Sequence, residues 1–342
     1  MSSPASSPIV PTVYSIQALR LVQYGIARGL DSQELVAIAG EPVEDLARPA
    51  HHIALQRVCD LFAHIMRVLD EPGLPYIIAR ETRMEDLHVM GFAVMTATDG
   101  REATRRAVRY ARLISTSSQW EMIEEPDSAT IRFDRYLGPD LGHRACNEAA
   151  LGDFVHCSRT CTGYDYTPLR VSFCHRQPPD TRPHREFFRC EVEFNAPHNE
   201  FVIANDFFAH RPLDANPAMS RFFRDHAEKL LQEQTTGDSL SDQVRREIAR
   251  QLPSGQPSLA SVARRLATSE RSLRRHLTAG DTSFSQLLSE VRFERARSLL
   301  QSSEASLSEV AYLLGFSNVS AFSRAFKKWC GSAPGEFRAA GD

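Results

Sequence analysis

No stretch of this chain approaches the ~18 uninterrupted apolar residues that a membrane-spanning helix needs, so no membrane partner is expected. The opening Met1-Ser-Ser-Pro-Ala-Ser-Ser-Pro has no basic region followed by an apolar one, and therefore does not read as a secretory signal. Residues 1–11 are expected to be a disordered tail, and the location cytoplasmic, where disulfides would be unusual. A glycine-rich phosphate loop, a G-x-S-x-G elbow and an H-E-x-x-H pair are all missing. Catalysis has no candidate constellation, and an enzyme is not expected. Seven cysteines are present, but zinc-type spacing is not. Only Cys157-x-x-x-Cys161 forms a close pair, beside His156, with no second pair downstream. No metal and no cofactor are expected, and Cys146, Cys174 and Cys190 read with that pair as packing residues. His175, His184, His198 and His210 fall near predicted strand ends or loops; pocket lining and ordinary core or surface roles both stay open for them. Phe187-Phe188 and Phe207-Phe208 read as core, with a cavity wall as the alternative.

What the chain does have is one pattern written twice near its end. In the second copy Leu307, Val310, Ala311 and Leu314 recur at helical spacing and define one apolar face. Gly315 follows, where a left-handed residue ends a helix at little steric cost, and Ser317 or Asn318 supplies the next N-cap. Phe322, Ala325, Phe326 and Trp329 then form a buried stripe, leaving Ser320, Ser323, Arg324, Lys327 and Lys328 on other faces. In the first copy Val262, Ala263 and Leu266 make the apolar face, Ala267 stands where a glycine is expected, and Ser269 caps. Leu273 and Leu277 turn inward while Arg271, Arg274 and Arg275 point out. Phe284, Leu287, Leu288, Val291, Leu299 and Leu300 mark a long helix joining the copies in fixed relation. Helix, tight turn, helix is the layout of a DNA-reading helix-turn-helix, here over 259–277 and 307–329.

The run Ala311…Leu-Gly-Phe-Ser-Asn…Phe322-Ser-Arg-Ala-Phe-Lys-Lys…Gly331…Ala-Pro334-Gly-Glu-Phe-Arg338 resembles the AraC/XylS family of bacterial transcription regulators, with the likeness extending from about Ser241 to Arg338. The resemblance implies an all-α domain of seven helices whose two recognition helices enter successive major grooves. It assigns groove positions to Arg271, Arg274 and Arg275 in the first unit and to Val319, Ser320 and Arg324 in the second, with Lys327 and Lys328 adding to the DNA contact. An arginine there can donate two hydrogen bonds to guanine, whereas Val319 can only meet a thymine methyl. Phosphate contact alone is the other reading of these arginines. Family members more often activate, by touching RNA polymerase.

Charge follows the same division. From Gly237 onward there are 15 Lys plus Arg against 11 Asp plus Glu, and before it 25 against 32. Residues 12–236 read first as helices, Ile16 to Gly29, Asp31 to Ala39, Ile53 to Leu69, Gly91 to Ala97 and Arg101 to Ser115. The period then changes to two, giving a hairpin over Trp120–Glu124 and Thr130–Tyr136, a helix from Asn147 to Thr162, strands at Leu169–Cys174, Cys190–Phe194 and Glu200–Ile203, and a closing helix from Asn216 to Gln234. That order predicts an α+β domain with an antiparallel sheet, followed by the all-α domain over 237–342. Gly91-Phe-Ala-Val-Met-Thr-Ala, Val171-Ser-Phe…His175 and Val192-Glu-Phe194…Asn199 are similar to the N-terminal domain of the family branch holding regulators of ornithine use and virulence. The resemblance implies a domain that senses a small molecule, forms a homodimer, or does both. A reactive-cysteine domain, redox-sensing or alkyl-accepting, is the alternative.

Overall fold

The computed structural model describes residues 11–134, 140–237, 240–252, 257–266, 268–280, 282–302 and 306–339. Most of the expected tail, the hairpin end at Arg135 and Tyr136, and Ala267 lie outside the described residues. The chain forms two compact units, which part between Glu233 and Gln234.

The first unit opens with β1 (Thr12–Tyr14), α1 (Ile16–Ala27), α2 (Ser32–Ala39), α3 (Val43–Leu46), β2 (His52–Ala54), α4 (Leu55–Leu69) and α5 (Leu74–Arg80). A 3₁₀ turn leads into α6 (His88–Met95) and α7 (Gly100–Ile114), whose N-cap Asp99 accepts from the Glu102 amide at 2.8 Å. Then come β3 (Gln119–Glu124), β4 (Ser128–Asp134), α8 (Leu141–Thr162), β5 (Arg170–Ser172), α9 (Arg182–Phe188), β6 (Val192–Glu193), β7 (Asn199–Ala204) and α10 (Pro217–Gly237). The five-stranded sheet has the order β3-β4-β7-β5-β6. Alternation puts Ala129, Ile131, Phe133, Phe201 and Ile203 on one face, where they are buried against Leu151 and Val155 of α8 and Phe187 and Phe188 of α9. All pairings are antiparallel except β5 with β6, which is parallel. Parallel neighbours require a crossover, and α9 supplies it. The sheet is antiparallel, as expected, apart from this edge pair, which sequence periodicity did not reveal because it did not reveal α9.

A second core joins α6, α7, α8 and α10 through Met90, Ala93, Ala103, Tyr110, Cys157 and Ala227. Arg106 is buried within it because its guanidinium is satisfied on several sides. It donates to the Ala93 carbonyl at 2.8 Å, to Ser220 Oγ at 2.9 Å and to Glu102 Oε1 at 2.9 Å.

The second unit holds, among the described residues, α11 (Leu240–Gln251), α12 (Leu259–Arg265), α13 (Glu270–Ala279), α14 (Phe284–Ser302), α15 (Leu307–Leu313), α16 (Val319–Cys330) and α17 (Pro334–Ala339). It is all-α, with two cores. One gathers Val244, Ile248, Val262, Leu273, Leu277, Leu287 and Val291, and the other Ala296, Leu300, Val310, Ala311, Leu314, Phe322 and Phe326. Helix α14 contributes to both, so the two halves share a rigid spine.

Candidate nucleic-acid interface and effector cavity

Each helix-turn-helix is built from local chemistry. Ser258 and Ser261 form a reciprocal capping box at the start of α12, and Ser306 with Glu309 forms the equivalent at α15. Ser269 accepts from the Ser272 amide at 3.1 Å to start α13. Of the two candidates for the α16 cap, Asn318 takes the role, accepting from the Ala321 amide at 2.8 Å. Gly315 has φ 69°, the left-handed conformation its position requires, and Gly331 at φ 84° ends α16.

A residue that sequence reasoning passed over fixes the second turn. Arg292 of α14 donates from Nε to the Leu314 carbonyl at 2.9 Å and from Nη2 to the Gly315 carbonyl at 3.0 Å. Its guanidinium also lies 4.6 Å from the Phe316 ring centroid. Burial lowers its pKa from the usual arginine value. Arg292→Leu is expected to cost about 1–3 kcal/mol, the loss of two charge-assisted hydrogen bonds to the turn, and thermal denaturation of the full chain reads that loss.

The groove candidates lie at the surface. Arg271, Arg274 and Arg275 on α13, and Ser320, Arg324, Lys327 and Lys328 on α16, are exposed. Among the described residues none of these six cations has a carboxylate partner, whereas Arg265 pairs with Glu247 at 3.4 Å and Arg245 pairs with Glu290. Val319 is half-buried and packs on the second core, so only part of its side chain faces outward. Phe322 and Phe326 are fully buried, while Ala325 and Trp329 at the edge of the same stripe are half-buried.

The first unit contains a cavity of about 110 Å³ bounded by α6, α7, α8 and β3. Met84, Met90, Ala103, Ala107, Ile114, Trp120, Phe154 and Cys157 line it. Phe207 and Phe208 are buried in the sheet core, as expected, and Phe207 also closes one side of the cavity. Among the described residues Asp153 is the single charged one in the lining; it accepts from Gln17 Nε2 at 3.1 Å and from Thr82 Oγ1 at 2.6 Å.

The cysteines sort differently from their spacing. Burial pushes the Cys161 thiol up to about 12 and the Cys190 thiol to about 11, and raises Cys157 well above its ordinary value. This opposes thiolate chemistry at all three. Cys59 and Cys146, 87 residues apart, bring their sulfurs to 3.1 Å in the interior of the α4–α8 contact. His198 and His210 stay apart from the other histidines, and His210 stacks on Tyr164. His175 and His184, however, converge on the buried Glu148.

Comparison with known proteins follows this division. The family described as the arabinose-binding domain of AraC transcription regulators, N-terminal, matches residues 29–212, and a helix-turn-helix domain family matches 262–340. The chain belongs to the AraC-type transcription regulators. This regulator is 27% identical to the ornithine utilization regulator of Pseudomonas aeruginosa over 336 residues, 98% of each chain. It is 33% identical to the regulator VirS of Mycobacterium tuberculosis over 173 residues, 50% of this chain and 49% of that one. The crystal structure of the regulator CdpR from P. aeruginosa aligns with a TM-score of 0.44 at 20% identity, over 95% of this chain and 98% of that one. The α+β first unit and the all-α second unit are those of a DNA-binding regulator of this type. No described helix is long and apolar enough to cross a membrane.

Proposed function

We propose that this regulator reads its operator through Arg271, Arg274, Arg275, Val319, Ser320 and Arg324, with Lys327 and Lys328 gripping phosphates, and that an effector held in the first unit governs this. The observation that carries the DNA reading is the set of six exposed cations, without carboxylate partners among the described residues, on the two helices that follow the tight turns. Electrophoretic competition between operator and scrambled duplex at fixed salt tests it, and equal affinity for both would remove sequence readout. Domain limits of 12–236 and 237–342 go with this reading. Activation through RNA polymerase and homodimerisation rest on the family resemblance; reporter transcription and sedimentation check them. A cytoplasmic location goes with this reading, since a bacterial regulator of this type meets its DNA there.

The cavity supports one class of effector over others. Its lining is mostly apolar, with Val, Leu, Ile, Met and Ala side chains and three aromatic rings, and its volume is comparable to the ~150 Å³ engineered cavity that takes up benzene. An amino acid such as ornithine carries a carboxylate that would meet no cation there, because the lining has no lysine or arginine. The effector is therefore a small apolar molecule, with at most one polar end directed at Asp153 and Ser158. Trp120 in the lining makes binding visible as a change in tryptophan emission. Ala107→Leu, which fills the space, is expected to abolish that change and the ligand-induced Tm rise while leaving effector-free DNA affinity unaltered. A larger Tm rise with ornithine than with any apolar probe would contradict the apolar assignment.

A further inference from the structure

Helix α8 serves two sites on opposite sides. Ala150, Asp153, Phe154, Cys157 and Cys161 face the cavity, while Glu148 faces the end of β5 and the start of α9. There Glu148 is completely buried, with 0% of its surface exposed. Its Oε1 lies 3.1 Å from His175 Nε2 and 3.2 Å from His184 Nε2. The ligand-type atoms of all three residues fall within 4.8 Å of one another.

With neutral imidazoles, the hydrogen-bond accounting of this cluster does not close within the described residues. His175 Nδ1 lies 2.9 Å from the Arg176 carbonyl, which can only accept, so Nδ1 carries the proton. In the neutral ring Nε2 then holds a lone pair, pointed at a carboxylate oxygen that also only accepts. Two acceptors at 3.1 Å require something positive between them. Glu148 Oε2, His184 Nδ1 and His175 Nε2 are buried without a hydrogen-bond partner among the described residues. Arg144 Nε approaches Oε1 at 3.3 Å, without the alignment of a hydrogen bond.

We infer that Glu148, His175 and His184 form a binding site for a first-row divalent cation, with Zn²⁺ the best fit. Two imidazoles and a carboxylate are a donor set that zinc takes in tetrahedral geometry. Zinc-to-ligand bonds of ~2.1 Å at tetrahedral angles separate ligand atoms by about 3.4 Å, close to the two carboxylate–imidazole distances here. The Arg176 carbonyl orients His175 as an outer partner orients a metal-bound histidine. Tyr76, Phe173 and Phe194 pack around the two imidazoles, with Phe194 5.1 Å and Tyr76 5.2 Å from the His184 ring. Such a shell excludes water. The ion would tie α8, the end of β5 and α9 together, a clamp on the back of the helix that walls the cavity. Its fourth position is open to the second Glu148 oxygen, which is buried without a hydrogen-bond partner among the described residues.

The test uses the full chain, free of any affinity tag and stripped with a chelator, then titrated with Zn²⁺ or Co²⁺ alone. One equivalent of Zn²⁺ per chain in native mass spectrometry is expected, with a Tm rise reversed by chelator. Co²⁺ is expected to give the intense visible bands of tetrahedral coordination. His184→Ala and Glu148→Gln should bind at least about 100-fold more weakly and lose the visible bands. If either variant fails to fold, the Co²⁺ spectrum of the unaltered chain still decides. Substoichiometric Zn²⁺ without tetrahedral bands, or folded variants that bind as well as the parent, would overturn the site and leave a cluster neutralised by protons and Arg144.

Discussion

Replacing Arg275 and Arg324 together by alanine is expected to weaken operator binding by about 2–6 kcal/mol. Each guanidinium that donates two hydrogen bonds to a guanine is worth ~1–3 kcal/mol of discrimination, and the two stand on different helices with no shared partner, so their effects add. Both side chains are exposed, and neither has a carboxylate partner among the described residues, so no internal ion pair is sacrificed and folding should be unchanged. Titration of fluorescent operator and scrambled duplexes separates the possibilities. A loss confined to the operator marks base readout. An equal loss on both duplexes, with a shallower salt dependence, means that these arginines grip phosphate only.

Phe326→Ala is expected to destabilise the second unit by about 3–5 kcal/mol, the usual cost of emptying a buried aromatic site. Phe326 is fully buried, and its ring stands 5.3 Å from Phe337, 5.7 Å from Phe293 and 5.8 Å from Phe322. Those partners come from α14, α16 and α17, so the cavity opens at the junction that holds the second recognition helix. Operator binding should fall with the folded fraction of this unit. Calorimetry should show the transition of the second unit shifted down while that of the first keeps its Tm. A drop below about 1 kcal/mol would mean that the core collapses onto the gap, and that Phe326 does not hold α16 in place.

The parts of this protein that were legible in its sequence are those fixed by neighbours three or four residues away. Ser269, Asn318 and Gly315 announce caps and a turn through their own backbone chemistry, and the α15 and α16 stripes repeat with helical period. The same logic placed α1, α2, α4 and α7 within a few residues. It missed α5 and α9, where Leu74-Pro-Tyr-Ile-Ile-Ala and Arg182-Pro-His-Arg-Glu-Phe-Phe are too short to show a period. It also missed β1 and β2, three residues each, which exist because they pair with one another. The site followed the same divide. Cys157 and Cys161 drew notice by spacing alone, and burial silences them. Glu148 was passed over because its partners lie far along the chain, His184 being 36 residues away. Nothing local records that a crossover helix returns one histidine to another. Arg292 hid for the same reason, reading as one more cation on a long amphipathic helix until the fold set it under the second turn.

Methylation interference on a footprinted operator probes the double reading head most directly, since a methyl group on guanine N7 blocks an arginine from docking there. Two clusters of interfering guanines are expected, ~10–10.5 base pairs apart on one face of the duplex. Arg275→Ala should erase one cluster and Arg324→Ala the other. A single cluster, or interference that neither variant alters, would contradict an account in which both helices that follow the tight turns read bases.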